Sequence, residues 1–142
     1  MLNSSVVKIG DISVGGESPL VFILGPCQIE NRDHALFMAE KIIKVCEPSS
    51  SKFIFKSSFD KANRSSITSA RGIGIEEGLK ILEELKSTFR CPVITDVHTV
   101  PQCGIAAEVV DVLQIPAFSA AKVIRNKFPK PVGGICQECR IQ

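Results

Sequence analysis

The feature that most constrains the fold is a fourfold alternation of short apolar segments with longer amphipathic ones. The first apolar segment, LVFIL, ends in Gly25-Pro26 and is too short for a helix, so it is typical of a strand buried on both faces. The same kind of segment recurs three times along the chain. Strands are therefore predicted at 20–24, 53–56, 92–97 and 111–118.

Between these strands, apolar residues recur at the spacing of a single helix face. The helix after the first strand is expected to be capped by Asn31 or Asp33 and to end before Pro48. Two further helices are predicted, at about 75–89 and at about 99–110. Strand and helix thus alternate along most of the chain.

Such alternation specifies a parallel sheet with right-handed crossovers, which leaves a doubly wound sheet and a (β/α)8 barrel as the two candidates. Polar residues cluster after the carboxyl ends of the predicted strands, where barrel enzymes place their active sites. No Gly-x-Gly-x-x-Gly turn follows the first strand, which disfavours a dinucleotide-binding domain. The sequence therefore predicts an α/β fold: the N-terminal half of a (β/α)8 barrel with about four βα units, preceded by a β-hairpin at 6–14.

Composition excludes several classes of protein. The 142 residues are 44% hydrophobic and 23% charged, as in a soluble globular domain. No apolar run approaches the roughly 20 residues that span a bilayer, and the first residues lack the pattern of a secretory or transit leader. We therefore expect a cytoplasmic protein without a membrane partner. The net charge of +2 is too small to indicate nucleic-acid binding.

The six cysteines are spread through apolar, periodic segments rather than packed into a short secreted frame. We interpret them as thiols of a reducing compartment. Cys136 and Cys139 have the spacing of a zinc knuckle, but no second pair lies nearby, so chance is the better explanation.

The polar stretch from Lys56 to Arg71 has the composition of an anion site. It combines lysines and arginines with hydroxyl and amide side chains, and these groups together satisfy the oxygens of a phosphate. A solvated basic loop is the ordinary alternative. The solvated loop is less favoured because Lys56 directly ends an apolar strand, where a buried ammonium needs a fixed anionic partner.

The same stretch carries a family resemblance. FKSSFDKANRSS at 55–66 is similar, nearly letter for letter, to the signature segment of the 3-deoxy-D-manno-octulosonate-8-phosphate synthases, also called 2-dehydro-3-deoxyphosphooctonate aldolases. ITDVH at 94–98 and LQIPAF at 113–118 resemble two further blocks of that family in the same order. The resemblance covers roughly residues 5–120. The aldoheptulosonate-phosphate synthases of the same superfamily share the chemistry and the barrel but lack the KANRSS form.

The resemblance implies a transferase of the biosynthesis of octulosonate, a sugar acid of lipopolysaccharide. The implied reaction is an aldol-type condensation of phosphoenolpyruvate with D-arabinose 5-phosphate and water, which gives 3-deoxy-D-manno-octulosonate 8-phosphate and phosphate. It also implies that Lys56 and Lys61 bind phosphoenolpyruvate, and that Gln114 and the backbone of Ala117 hold its phosphate. Lys61 would also reach the sugar aldehyde and take part in catalysis.

The sugar phosphate would lie beside phosphoenolpyruvate. The same resemblance implies that Asn63, Arg64 and Ser65 bind arabinose 5-phosphate. It implies that Ser58 and Asp96 orient the substrates. Asp96 would also be a second catalytic residue. In tetrameric members of the family the Arg-Ser pair comes from a neighbouring subunit, so the resemblance implies a homo-oligomer.

Cys27 bears on the cofactor. The family has Asn at this position in metal-independent members and Cys in members that use a divalent metal, so Cys27 resembles the metal-dependent class. A small buried Cys at a strand end is the ordinary alternative. His98 is expected to face the site and His34 to be solvated, and neither is assigned as a ligand.

The sequence departs from the family pattern after Ala120. Residues 1–120 are predicted to form the partial barrel domain, and 121–142 a divergent, irregular tail that lacks the remaining metal ligands. We therefore expect the chain to be inactive or very weak alone. The alternatives are a non-catalytic half-barrel that assembles with another subunit, or a related aldoheptulosonate-phosphate synthase.

Overall fold

The computed structural model describes residues 5–60 and 72–116 and the backbone of 134–136. The described strands and helices follow in the order β1 (Val7–Ile9), β2 (Ile12–Val14), β3 (Val21–Leu24), α1 (Arg32–Cys46), β4 (Lys52–Lys56), α2 (Ile75–Phe89), β5 (Val93–Asp96), α3 (Val100–Ala107), β6 (Val112–Ile115) and β7 (Gly134–Cys136). A short 3-10 turn, Glu47–Ser49, separates α1 from β4.

The predicted hairpin at 6–14 is confirmed. β1 and β2 pair antiparallel with Ile9 opposite Ile12, so that Gly10 and Asp11 form a two-residue turn. Gly10 has a φ of 54°, a left-handed conformation that glycine adopts without steric cost.

The main sheet is parallel throughout, in the order β3-β4-β5-β6-β7. Each strand lies beside the next in sequence and the order never reverses, which is the arrangement of a barrel and not of a doubly wound sheet. The α/β prediction with about four βα units is confirmed. β7 falls within the tail that was predicted to be irregular, and the remaining residues of that tail lie outside the described part.

The two faces of the sheet are covered differently. On one face, which we call the helix face, side chains of the strands pack against all three helices in a single core that includes Phe55, Val93, Leu113, Leu82, Leu85, Ala35, Ala39 and Ala106. On the opposite face, the inner face, a smaller core joins Ile54, Ile94 and Val112 to Ile9 and Ile12 of the hairpin. The hairpin thus covers the inner face near the amino ends of the strands.

The first predicted strand is present, but the prediction that it is buried on both faces is wrong. Phe22 and Ile23 are 40% and 45% exposed, and Leu20 just before the strand is 74% exposed. β3 pairs with β4 alone among the described strands, so it forms an edge of the sheet. An apolar run identifies a strand but does not reveal whether a neighbour covers it.

Helix boundaries follow local capping signals. The Asn31 side chain accepts a hydrogen bond of 2.8 Å from the His34 amide and caps α1, as predicted. α2 has the predicted bounds. Thr99 and Gln102 form a reciprocal capping box at the start of α3, which ends at Ala107 rather than near Val110. No helix in the described part is long and apolar enough to cross a membrane.

Candidate functional site

Three predicted binding residues share the inner face at the carboxyl end of the sheet. Asp96 of β5 and Gln114 of β6 are direct register partners, so their side chains leave the sheet on the same side. Lys56 ends β4 opposite Ile94, two residues before Asp96, and therefore lies on that side as well. The apolar layer of Ile54, Ile94 and Val112 lies directly below them. The cation of Lys56, the carboxylate of Asp96 and the amide of Gln114 therefore lie on the inner face, beyond the part of that face that the hairpin covers.

Cys27 and Ser58 lie next to each other at the adjacent strand ends. Gln28, which follows Cys27, forms a parallel bridge with Ser58, and the amide of Ile29 donates to the Ser58 carbonyl at 2.9 Å. Ser58 is fully buried, whereas Cys27 is exposed. The buried-Cys alternative therefore fails for Cys27. The structure places this thiol on the surface beside the other predicted site residues.

A buried set of hydrogen bonds ties these strand ends together, and sequence reasoning missed it. The hydroxyl of Ser57 donates to the Pro26 carbonyl at 2.9 Å, and the hydroxyl of Thr95 donates to the Ser57 carbonyl at 2.9 Å. Both side chains are fully buried. The bonds link the segments that carry Cys27, Ser58 and Asp96. The only available signal was a hydroxyl residue at or just after each of two apolar strands, which is too common to be decisive.

Gly25 allows β3 to end close to β4. Its φ is 155°, and a Cβ at this position would lie 1.9 Å from the carbonyl oxygen of Lys56. Any side chain here would push the segment that carries Cys27 away from the end of β4. The glycine after the first strand is therefore required by the packing of the site.

His98 belongs to the site through Asp96. Its Nε2 atom lies 3.3 Å from Asp96 Oδ2 and 3.4 Å from the Asp60 carbonyl, and both side chains of the pair are only 9% exposed. The hydrogen bond to the Asp96 side chain is the main reason why the pKa of His98 is raised, while burial acts in the opposite direction. The expectation that His98 faces the site agrees with this contact. His34 is half-buried: its Nδ1 atom is buried and has no hydrogen-bond partner in the described part.

Five predicted site residues fall outside the described part of the chain: Lys61, Asn63, Arg64, Ser65 and Ala117. The predicted anion-binding stretch is thus described only from Lys56 to Asp60. Within residues 5–60 and 72–116, no group of three potential metal ligands is present. Cys27 offers one soft donor, which does not make a metal site by itself. Four of the six cysteines are described, and all four are free thiols, as expected.

A parallel sheet that carries polar side chains at its carboxyl ends is the arrangement of the barrel enzymes. A profile of the DAHP synthetase I family matches residues 3–127, and the chain belongs to this family.

Two relatives with the name 2-dehydro-3-deoxyphosphooctonate aldolase illustrate the similarity. The protein of Rickettsia rickettsii (strain Sheila Smith) is 58% identical over 113 residues, and that of Rickettsia typhi (strain ATCC VR-144 / Wilmington) is 60% identical over 113 residues. In each case the match covers 80% of this chain and 41% of the relative. The predicted resemblance is confirmed, and the chain spans less than half the length of these relatives.

Proposed function

We propose that this chain forms the N-terminal part of the active site of a 3-deoxy-D-manno-octulosonate-8-phosphate synthase. The observation that carries the proposal is the 58% identity, over 113 residues, with a relative named as an aldolase of this product. The convergence of Lys56, Asp96 and Gln114 on one face supports it independently.

The reaction joins C3 of phosphoenolpyruvate to the aldehyde carbon of arabinose 5-phosphate. The oxygen of water adds at C2, and the C2–O bond to phosphate breaks, so inorganic phosphate leaves. Charge develops on the aldehyde oxygen and at C2. Fixed polar groups stabilise it best in a site that excludes bulk solvent and admits only the reacting water. Lys56 supplies a half-buried cation, and no described residue forms an ion pair with it.

Asp96 and His98 would act as a pair. The carboxylate raises the pKa of His98, so the ring holds a proton more strongly than a free histidine does. A protonated ring beside the carboxylate can donate to a substrate oxygen while Asp96 keeps it oriented. Gln114, in register with Asp96, would complete this face of the site.

The experiment is a chimeric protein in which this chain supplies its aligned 113 residues and the Rickettsia rickettsii relative supplies the rest. Phosphate release from phosphoenolpyruvate is measured with arabinose 5-phosphate and, separately, with erythrose 4-phosphate. An eight-carbon product needs a five-carbon aldose and a seven-carbon product a four-carbon one. We expect turnover with the five-carbon sugar. Preference for the four-carbon sugar would instead favour the aldoheptulosonate alternative.

We further propose that Cys27 supplies one thiolate ligand of a divalent metal in the complete protein. Its exposure beside Ser58 at the carboxyl ends of the strands supports this role. A thiolate suits a transition metal better than it suits magnesium. In the chimera, Cys27→Asn should abolish the charge-transfer absorption of a bound cobalt ion. An unchanged spectrum would remove Cys27 from the ligand set.

A homo-oligomer and a cytoplasmic location complete the proposal, and both rest on the family resemblance. Light scattering of the chimera should give a mass of several subunits. A monomer with full activity would contradict the expectation that a neighbouring subunit contributes to the sugar-phosphate site. Cell fractionation tests the location, and recovery with the membrane fraction would contradict it.

A further inference from the structure

A cavity lies at the opposite end of the sheet from the candidate active site. Its volume is about 500 Å³, which falls within the range of small-molecule sites. The turn of the hairpin, the residues at the start of β4 and just before β5, and the last turns of α1 and α2 surround it. Of the described residues assigned above to substrates or to metal, none lines this cavity.

The cavity is lined by both apolar and charged side chains, and the charges fall into two groups. Ile12, Ile43, Phe53 and Phe89 provide much of the apolar lining. One charged pair is already satisfied: Lys86 Nζ lies 2.8 Å from Asp111 Oδ1 and donates to the Val109 carbonyl at 3.1 Å. Asp111 also accepts from the Val93 amide at 2.9 Å. These bonds leave that pair little capacity for a ligand.

The other charged group consists of Lys52, Arg90 and Asp11. Lys52 and Arg90 are exposed cations, and neither forms an ion pair with a residue in the described part of the chain. Asp11 lines the cavity from the hairpin turn without an ion pair to either of them. With the Lys86–Asp111 pair neutral, the lining residues that the structure describes leave two cations against one carboxylate. Its field therefore favours an anion.

One of these cationic residues, Arg90, lies at the end of a helix. Arg90 ends α2 in a left-handed conformation with a φ of 51°, and its amide donates to the Lys86 carbonyl. Glycine or asparagine is the usual residue at such a helix end, because other side chains pay a steric cost there. The end of α2 therefore places the backbone of a cationic residue at the border of the cavity.

We propose that this cavity binds a small anion with an apolar body, whose carboxylate or phosphate group lies between Lys52 and Arg90. The apolar walls would hold the body of the ligand and the two cations its charged group, as in other small-molecule sites. The site is separate from the catalytic one, so the proposal does not depend on the proposed function and is tested by binding alone.

The test titrates the full chain with 3-phenylpropionate, with benzylphosphonate and with the neutral 3-phenylpropan-1-ol by isothermal calorimetry. The two anions share a phenyl body, so their relative affinity shows which charged group the site prefers. We expect a dissociation constant of about 1 mM or lower for at least one anion, and much weaker binding of the alcohol. Absence of binding by both anions, or equal binding of the alcohol, would overturn the proposal.

Matched variants locate the site. Lys52→Gln and Arg90→Asn should each weaken anion binding by roughly tenfold or more, since each removes a charge-assisted hydrogen bond. Asparagine tolerates the left-handed conformation of position 90. Asp11→Asn should strengthen binding. Lys80→Gln, which removes an exposed cation of α2 outside the cavity, should leave it unchanged. Equal affinities across these variants would overturn the proposal.

Two measurements on the unaltered chain keep the proposal testable if a variant fails to fold. Amide chemical shifts should move at Gly10, Lys52 and Cys91 on addition of the anion, and not at Ser57 or Asp96. The affinity should fall as salt rises, because exposed cations provide the attraction. Shifts confined to the carboxyl end of the sheet, or an affinity independent of salt, would contradict it.

Discussion

At the scale of single residues, His98 has the most informative surroundings. Its Nε2 atom contacts both the Asp96 carboxylate and the Asp60 carbonyl, and the raised pKa follows mainly from the hydrogen bond to Asp96. An unfolded histidine titrates near 6.5. Because folding raises the pKa, the stabilisation by this pair is fully present below about pH 6.5 and is lost as pH rises through the folded pKa.

Replacement of Asp96 by Asn should lower the pKa of His98 toward its ordinary value. The sequence has two histidines, so a proton NMR titration of the ring resonances needs only His34→Gln for assignment. Asp33→Asn, which removes an exposed carboxylate, serves as the control and should leave the pKa of His98 in place. A His98 pKa that is the same in Asp96→Asn and in the unaltered chain would contradict the pairing.

The described thiols should differ in reactivity. Burial raises the pKa of Cys91 to about 11, and it also raises the pKa of Cys103, so both stay protonated at pH 8. Cys27 is exposed. Brief treatment with iodoacetamide at pH 8, followed by peptide mass spectrometry, should show Cys27 modified well before Cys91. Modification of Cys91 at the same rate would show that the start of β5 opens readily.

The location of a site residue could be predicted from the sequence where it depends only on the order of the strands. Asp96 and Gln114 each lie at the carboxyl end of an apolar segment, and consecutive parallel strands bring such ends together. The Ser57 and Thr95 hydrogen bonds could not be predicted, because their partners lie 31 and 38 residues away in the sequence. The fully buried state of both hydroxyls depends on packing that no local pattern contains.

At the scale of secondary-structure elements, α2 packs unusually close to the segment after β4. Gly78 lies where a Cβ would come within 2.4 Å of the Cβ of Phe59, and Phe59 is 1% exposed. The helix therefore needs a glycine at this position although glycine disfavours helices. The contact holds Phe59, and with it the first residues of the predicted anion-binding stretch, against α2.

Gly78→Ala should destabilise the chain by about 1 kcal/mol or more, because overpacking outweighs the gain in helix propensity. Gly104 of α3 provides the matched control, since nothing lies within 4 Å of a Cβ at that position. Gly104→Ala should stabilise the chain by about 0.5–1 kcal/mol. Urea unfolding measures both changes. A stabilising Gly78→Ala would contradict the close contact with Phe59.

Helix and strand positions were largely predictable at this scale, and β3 shows where prediction fails. The apolar pattern of LVFIL identified a strand correctly. Its exposure depends on which strand lies on its other side, and that is a property of the sheet and not of the segment. The early end of α3 at Ala107 is a similar case, because nothing in the local pattern fixed where the helix would stop.

At the scale of the whole molecule, the sheet separates two chemical environments. The helix face is a continuous apolar core, and the inner face changes from an apolar layer under the hairpin to polar side chains at the carboxyl ends. The cavity at the amino end and the candidate active site therefore lie at opposite ends of the same strands. Barrel enzymes divide stability and catalysis between the two ends of their strands in this way.

If the carboxyl end of this sheet belongs to the catalytic site, loss of the Lys56 cation should impair catalysis. We would measure kcat/KM for phosphoenolpyruvate in the chimera described above, with arabinose 5-phosphate saturating. Lys56→Gln should lower kcat/KM by about a hundredfold or more, because a positioned cation that stabilises developing charge is lost. Lys80→Gln, which removes an exposed cation elsewhere, should stay within about twofold of the parent. A Lys56→Gln chimera as active as the Lys80→Gln chimera would contradict the claim.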